Sequence, residues 1–122
     1  MLFSFKIDHN ITGELSTNKF YAGMHWKERK DIADEWHSLT YYTLRQHRII
    51  TDPVDVPVEI VIKSDDKLDA DNHFVIIKMI IDGMVEYGIL EDDTRKYVKK
   101  VSFEFYEEEG IKVEIYESNI RV

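Results

Sequence analysis

The chain has 122 residues and carries 24 aspartates and glutamates against 16 lysines and arginines, a formal net charge of −8. Its 43% apolar and 33% charged residues are typical of one globular domain, residues 1–122, and exclude a disordered or fibrous chain. The lack of cysteine excludes disulfides and thiolate metal sites, and no apolar run approaches the roughly 20 residues that span a bilayer, so we expect no membrane partner.

The first half of the chain predicts one strand and one long helix. Residues 2–7 alternate apolar and polar side chains, as in a half-buried strand. This stretch is too short for the centre of a secretory signal, and together with the absence of cysteine it leads us to expect a cytoplasmic protein. After a loop at residues 9–17, apolar residues recur at helical spacing over residues 25–46. Thr51-Asp52-Pro53 ends this helix, because proline disfavours helix in the residue before it.

The second half predicts a strand, a helix and two further strands. The strands are expected at residues 56–63, 97–105 and 111–116, and an apolar helix at residues 72–85 that ends near Gly88. The order is therefore strand, helix, strand, helix, strand, strand. We predict an α+β fold of the two-layer α/β type, with a mixed sheet of about four strands and two main helices.

The segment Asp69-Ala70-Asp71-Asn72 is the first candidate for chemistry. It follows a strand and a loop and precedes the second helix, so two carboxylates separated by one residue can point into the same space. Mg²⁺ prefers this oxygen-only arrangement of one or two carboxylates with water and a substrate phosphate. The alternative is that Asp71 or Asn72 simply caps the helix.

Polar residues of the second helix fall on one side of it. Lys78 lies seven residues after Asp71 and four before Asp82, which places the three within about 40° of one another around a helix. On so apolar a helix this stripe predicts a cleft, in which the lysine stabilises charge or donates a proton. An ordinary surface ion pair between Lys78 and Asp82 is the alternative.

A second pair of carboxylates, Asp92 and Asp93, follows this helix in a tight return. The return can bring them back toward the first pair, although a Glu-Asp-Asp sequence is also an ordinary turn. The combination of DxDN, a lysine and an aspartate on one helical stripe, and Asp-Asp is more informative than any one of the three.

Two basic segments offset the negative net charge locally. The first is residues 18–30, around the start of the first helix, and the second is residues 95–100, at the start of the third predicted strand. Their candidate DNA-contacting residues are Lys19, His25, Lys27, Arg29, Lys30 and Lys96. Tyr21 and Trp26 lie beside the first segment, with a buried Trp26 as the equal alternative. His37 and His47 are expected at or near the surface, and Trp36 and Phe74 in the core.

Residues 69–98, DADNHFVIIKMIIDGMVEYGILEDDTRKYV, preceded by NKFYAGMHWKERK at residues 18–30, resemble the RusA-like Holliday junction resolvases. These are small metal-dependent endonucleases often carried by phages and prophages, and the resemblance extends over nearly the whole chain. It implies that Asp69, Asp71 and Asp93 are catalytic metal ligands with Asp92 adjacent. It also implies that Lys78 is the active-site lysine. Asn72 and Asp82 fall on supporting motif positions.

The chain departs from the family pattern in one place. The shorter family form has its lysine one turn after the second aspartate, whereas Lys78 lies seven residues after Asp71. Three extra residues are close to one helical turn, so the lysine keeps its face of the helix but starts farther from the aspartates.

The resemblance implies a Mg²⁺-dependent (or Mn²⁺-dependent) endonuclease without an organic cofactor, which resolves four-way DNA junctions as a homodimer. Two alternatives remain open from sequence. One is a nuclease of broader choice that cuts flaps or branched DNA with the same residues. The other is a non-catalytic acidic interaction protein, a DNA mimic or accessory subunit, which would use the acidic residues of the C-terminal part. These are Glu104, Glu107, Glu108, Glu109, Glu114 and Glu117.

Overall fold

Four strands and three α-helices make up the regular structure of residues 1–47 and 52–120, the part of the chain that the computed structural model describes. In chain order they are β1 (Phe3–Ile7), α1 (Thr17–Tyr21), α2 (Trp26–Gln46), β2 (Val58–Ser64), α3 (Phe74–Tyr87), β3 (Val98–Phe105) and β4 (Ile111–Glu117). The order of the four strands and the two long helices agrees with the prediction. The α+β class is confirmed.

The sheet is mixed, and its strands do not follow chain order. They lie in the order β1-β4-β2-β3, so the last strand along the chain is inside the sheet and β3 is at an edge. The β2–β3 pair is parallel because α3 carries the chain back to the same end of the sheet, whereas β4 is antiparallel to both of its neighbours.

One face of the sheet carries the core and the other is polar. Along β2, Val58, Ile60 and Ile62 are fully buried in the same core as Ile76 and Ile80 of α3. The intervening residues of β2 are only half-buried and face away from the helices. The result is two layers, with α2 and α3 on one side of the sheet.

The ends of the two long helices follow from local sequence. At the start of α2, His25 is the N-cap residue, and its Nδ1 accepts a hydrogen bond from the Lys27 backbone N–H at 3.2 Å. At the end of α3, Gly88 adopts a left-handed φ of 100° and donates its N–H to the carbonyls of Met84 and Val85, as predicted for a glycine C-cap. The predicted break at Asp52-Pro53 follows α2, and Thr51 lies outside the described residues.

Several predicted boundaries differ from the structure. Strand β2 begins at Val58 rather than at residue 56, because Pro57 has no N–H for a ladder hydrogen bond. Helix α3 begins at Phe74 rather than Asn72, because Asn72 has non-helical angles (φ −94°, ψ 16°) inside a separate 3₁₀ turn, Ala70–His73. Helix α1 lies partly in a segment that we predicted as loop. It has only five residues, too few for periodicity to reveal, and it begins with the Ser16 hydroxyl accepting from the Lys19 N–H.

The predicted core is correct for one aromatic residue and wrong for another. Trp36 is 6% exposed, as expected, whereas Phe74 is 66% exposed. Because α3 starts at Phe74, its first side chain extends past the core instead of into it. Trp26 is 63% exposed, which excludes the core alternative for that residue. Among the described residues, no helix is both long and apolar enough to cross a bilayer.

Candidate active site

A groove of about 520 Å³ runs between α3 and the edge strand β3 and contains three of the polar residues singled out above. Asp71, Lys78 and Asp93 lie on its wall, although they come from the turn before α3, from α3 itself and from the return after it. The rest of the lining is mainly apolar and comprises Ala70, Phe74, Ile77, Ile81, Val98, Val101 and Phe103. A few charged groups on an apolar wall are the usual composition of a ligand site.

Lys78 is held between two carboxylates. Its Nζ donates to Asp82 Oδ1 at 2.8 Å and makes a second short hydrogen bond to Asp93 Oδ2. The hydrogen bonds to Asp82 and Asp93 raise the pKa of Lys78 above its usual 10.5. The stripe predicted from helical spacing therefore exists for Lys78 and Asp82, and it also carries an ammonium group at the wall of the groove.

Asp93 is oriented by its neighbours on both sides. Its backbone N–H donates to Asp92 Oδ1 at 2.8 Å, so the two aspartates form a tight turn and the Asp92 carboxylate points toward the backbone of Asp93. The hydrogen bond from Lys78 lowers the pKa of Asp93 below its usual 3.8. Asp93 is thus a carboxylate at neutral pH. Asp92 is exposed and does not line the groove.

Asp82 has a second neighbour on the side of α2. His37 Nε2 lies 3.5 Å from Asp82 Oδ2, and both side chains are partly buried. His37 is therefore half-buried, as predicted. His47 is exposed at the end of α2, where its Nδ1 lies 2.8 Å from the Thr43 carbonyl oxygen.

Asp69 and Asp71 are both exposed on the turn that precedes α3. The Asn72 N–H donates to the Asp69 carbonyl oxygen at 2.9 Å, which closes the turn. The N-cap position of α3 is His73, so neither Asp71 nor Asn72 caps this helix. Asp71 faces the groove, whereas Asp69 is not among the described residues that line it.

The oxygen donors in the groove have the chemistry that Mg²⁺ requires. Asp71 and Asp93 line it, and carboxylate oxygens with water are the ligands that Mg²⁺ prefers. Over residues 1–47 and 52–120, no three Asp, Glu, His or Cys side chains lie close enough together to hold one ion. The convergence of Asp69, Asp71, Asp92 and Asp93 on a metal stays a prediction.

Sequence reasoning missed a pair of buried side chains behind this turn. The side chains of Asp66 and His73 are 1% and 0% exposed and are joined through His73 Nε2. A histidine directly after DxDN looked like an ordinary early residue of α3. The spacing of seven residues across an irregular loop carries no periodic signal that could have indicated the contact.

Part of the predicted basic surface lies beside the Ala70–His73 turn. Helix α1, which carries Lys19, packs beside the Ala70–His73 turn, and Thr17 Oγ1 accepts from the Val75 N–H at 3.4 Å. At the start of α2, Lys27 is exposed and Lys30 is paired with Asp34 at 2.7 Å.

The remaining members of the predicted DNA-contacting set differ in their surroundings. Arg29 is half-buried, and the His25 ring lies against the exposed Trp26 ring with 5.6 Å between their centroids. Lys96 is 5.2 Å above the Tyr97 ring and lines a different groove with Arg95 and Lys99. Lys96 therefore lies near Asp93 in sequence but does not line the groove that contains Asp93.

The acidic residues of the C-terminal part do not form one free surface. Glu114 is buried and lies 3.0 Å from Lys63, and Glu104 is 3.7 Å from the same lysine. Glu107, Glu108 and Glu109 are exposed in the turn between β3 and β4, and Glu117 is exposed at the end of β4. Partial pairing with lysine weakens the case for an acidic mimic.

Comparisons with known proteins add no family assignment. No protein-family model matches this chain, and a search of curated proteins gives no significant match. The similarity to RusA-like resolvases therefore rests on the motif residues alone.

Proposed function

We propose that this protein is a Mg²⁺-dependent, structure-selective endodeoxyribonuclease of the RusA-like type that resolves Holliday junctions by phosphodiester hydrolysis. The observation that carries the proposal is the groove in which Asp71, Lys78 and Asp93 meet. These residues occupy the DxDN, lysine and Asp-Asp positions of the motif, and they come from three different segments of the chain.

In the proposed reaction a water oxygen attacks phosphorus as the bond to the 3′ oxygen breaks. The products carry a 5′-phosphate and a 3′-hydroxyl. Asp71 and Asp93, with Asp69 beside them, would hold Mg²⁺, or Mn²⁺ in its place. When bound, such ions supply positive charge that stabilises the attacking and leaving oxygens. The Lys78 ammonium, already at the groove wall, stabilises the negative charge that develops on the phosphate.

The direct test is cleavage of a labelled four-way junction with Mg²⁺ by the wild type and by Asp71→Asn. We expect paired nicks from the wild type and a loss of at least about 10³-fold in rate for the variant, because an amide is a poor Mg²⁺ ligand. Asp65→Asn is the matched control, since Asp65 is an exposed aspartate of the same loop that lines a different groove. It should cleave at the wild-type rate.

Equal rates for Asp71→Asn and the wild type, or no nicking of any junction, would refute this function. In that case binding to a basic partner protein without Mg²⁺ dependence would favour the acidic interaction protein. Competition between junction, flap and linear duplex separates a resolvase from a nuclease of broader choice, because only the resolvase prefers the junction.

The proposal includes a homodimer. A four-way junction has near-twofold symmetry, and an isologous dimer presents two equivalent sites to it. Light scattering should give twice the 14.5 kDa chain mass, and the two nicks should be symmetric. A monomer at the concentrations that support cleavage would exclude this part.

A further inference from the structure

The buried Asp66–His73 pair lies directly beneath the turn that carries Asp69 and Asp71. His73 Nε2 is 2.9 and 2.8 Å from the two carboxylate oxygens of Asp66, and its Nδ1 donates to the Ala70 carbonyl oxygen at 3.0 Å. Ala70 is the residue between the two aspartates. The His73 ring therefore connects the backbone between Asp69 and Asp71 to the buried carboxylate of Asp66.

Asp66 is itself fixed from two directions. The Ser64 hydroxyl at the end of β2 donates to Asp66 Oδ2 at 2.7 Å, and the Leu68 backbone N–H donates to Asp66 Oδ1 at 2.8 Å. Ser64 is 1% exposed and belongs to the sheet. The hydrogen bonds therefore run from a rigid strand through Asp66 and His73 to Ala70.

The plane of the His73 ring is set by packing. It stacks on Phe103 of β3 with ring centroids 3.7 Å apart and an interplanar angle of 15°, and Phe105 meets it edge-on at 5.8 Å. Because the ring is fully buried and stacked, its two nitrogens cannot change partners without moving the neighbouring aromatic rings. The direction of the hydrogen bond to Ala70 is thus determined by the sheet.

We infer that Asp66 and His73 are positioning residues that hold the Asp69–Asp71 turn in its cation-binding conformation. This inference rests on the proposed function, since it assigns a role to residues that do not themselves reach the groove. Exposed aspartates on a free nine-residue loop lose conformational entropy when they converge on an ion, and a loop already anchored at Ala70 avoids much of that loss. His73 is also one of the residues between Asp71 and Lys78, where this chain is longer than the family pattern.

A role in stability alone must be separated from a role in positioning, and replacing both members of the pair does this. In the double variant Asp66→Asn/His73→Phe no charge is left buried and unpaired, the amide at position 66 can still pair with Ser64 and Leu68, and the phenyl ring can still stack on Phe103, so the fold is expected to retain its stability. The hydrogen bond to Ala70 is lost. The measurements are thermal unfolding, amide hydrogen exchange of residues 65–73, and Mn²⁺ affinity of the DNA-free protein by electron paramagnetic resonance.

We expect the double variant to unfold near the wild-type temperature, to exchange the amides of residues 65–73 faster, and to bind Mn²⁺ at least about tenfold more weakly. The single variant Asp66→Asn, whose amide oxygen can still accept from His73 and Leu68, should keep most of the wild-type Mn²⁺ affinity. Glu114→Gln is the matched control, because it alters another buried, hydrogen-bonded carboxylate on the opposite face of the sheet. Its Mn²⁺ affinity and loop exchange should equal those of the wild type.

Unchanged exchange of residues 65–73, or unchanged Mn²⁺ affinity, in a folded double variant overturns the inference. If that variant does not fold, Asp66→Asn/His73→Leu decides in its place. It too leaves no buried charge and no donor for the Ala70 carbonyl, with a smaller side chain at position 73. Faster exchange with weaker Mn²⁺ binding then supports positioning, and wild-type values overturn it.

The two proposals fail in different ways. If the wild type binds no Mn²⁺, or if Asp71→Asn binds it equally well, the proposed function fails and the positioning role falls with it. If the wild type binds Mn²⁺ through Asp71 while the double variant binds as tightly, only the positioning role fails.

Discussion

Asp93 is hydrogen-bonded to Lys78 in this structure, and it would also be a ligand of the proposed divalent cation. In this structure the lysine donates to Asp93 and to Asp82, and the same hydrogen bond lowers the pKa of Asp93. A cation that takes Asp93 as a ligand displaces this ammonium group or shares the carboxylate with it. Asp82 can retain the lysine at the groove wall while that happens, because it lies one turn away on the same helix.

Replacing Lys78 by methionine should therefore separate cation binding from catalysis. Without the ammonium group, Asp93 is free for the ion and Mn²⁺ affinity should rise a few-fold, because a neighbouring positive charge repels the ion. Junction cleavage should fall by about 10²–10³-fold, the usual loss when one charge-stabilising donor is removed. Mn²⁺ titration and single-turnover cleavage measure the two effects.

Lys6→Met is the control for Lys78→Met. Lys6 is also a surface lysine in an ion pair, 3.5 Å from Glu108, and it lies on β1, away from the groove. Both measurements should match the wild type. Unchanged cleavage by Lys78→Met would show that the lysine has no part in the reaction.

At the scale of elements, α2 and α3 are in close contact at Gly83. A Cβ at this position would lie 2.7 Å from Thr40 Cβ and 3.1 Å from the His37 carbonyl oxygen. No side-chain rotation relieves a contact with Cβ and backbone, so a larger residue here separates the helices. A displacement of α3 at Gly83 would also move Lys78 and Asp82 of the candidate active site, because all three residues lie on this helix.

Gly83→Ala should lower the free energy of unfolding by about 1–3 kcal/mol, the usual cost of overpacking. Urea unfolding followed by far-ultraviolet circular dichroism measures it. Gly13→Ala is the control, since the nearest atom to its new Cβ would be the end of the Lys19 side chain at 3.8 Å. Equal stability of the two variants would contradict the close helix contact.

The polar face of the sheet contains a second coupled pair, Lys63 and Glu114 on neighbouring strands. Burial opposes the charge of Glu114, but hydrogen bonds from Lys63 and Tyr116 outweigh it, so the pKa of Glu114 lies below its usual 4.5. The hydrogen bond to Glu114 raises the pKa of Lys63 above 10.5. Each shift favours the charged form in the folded protein.

The Lys63–Glu114 ion pair should contribute fully to stability at pH values between about 4.5 and 10.5, the usual pKa values of the two groups. Glu114 contributes above about pH 4.5 and loses its contribution as pH falls through its lowered pKa, whereas Lys63 contributes below pH 10.5 and loses it as pH rises through its raised pKa. At neutral pH, Lys63→Met should lower the unfolding temperature by about 2–4 °C, and this difference should shrink in acid. Thermal unfolding from pH 3 to pH 8 checks it. A difference independent of pH would exclude the ion pair as its cause.

At the scale of the whole molecule, the net charge of −8 opposes DNA binding, so the proposed DNA contact depends on local basic residues and on cations. Lys27→Ala should reduce the slope of log affinity against log salt by about one, as expected for one lost phosphate contact. The measurement is junction binding in the Asp71→Asn background, in which we expect no cleavage. Lys6→Ala should leave the slope unchanged, and an unchanged slope for Lys27→Ala would remove that residue from the interface.

The sequence predicted those features that depend on local periodicity and turn chemistry. The alternation of β2, the helical spacing around Trp36, the placement of Lys78 and Asp82 on one face of α3 and the Gly88 cap are all local, and all are confirmed. The missed features depend on contacts between distant segments. Phe74 is exposed because it is the first residue of α3 and its side chain extends past the core, and His73 is buried because β3 supplies Phe103. Neither fact has a signature in a single stretch of sequence.

The position of β4 inside the sheet determines the order in which the molecule can be completed during synthesis. Residues 58–105 form a continuous β2–α3–β3 unit that contains the whole groove, and they leave the ribosome before β4. Among the described strands β1 pairs with β4 alone, so β1 waits through the synthesis of about a hundred residues for its partner. Until then the backbone edge of β1 and one edge of β2 have no strand beside them. The nascent chain is therefore most vulnerable to aggregation just before its last strand emerges.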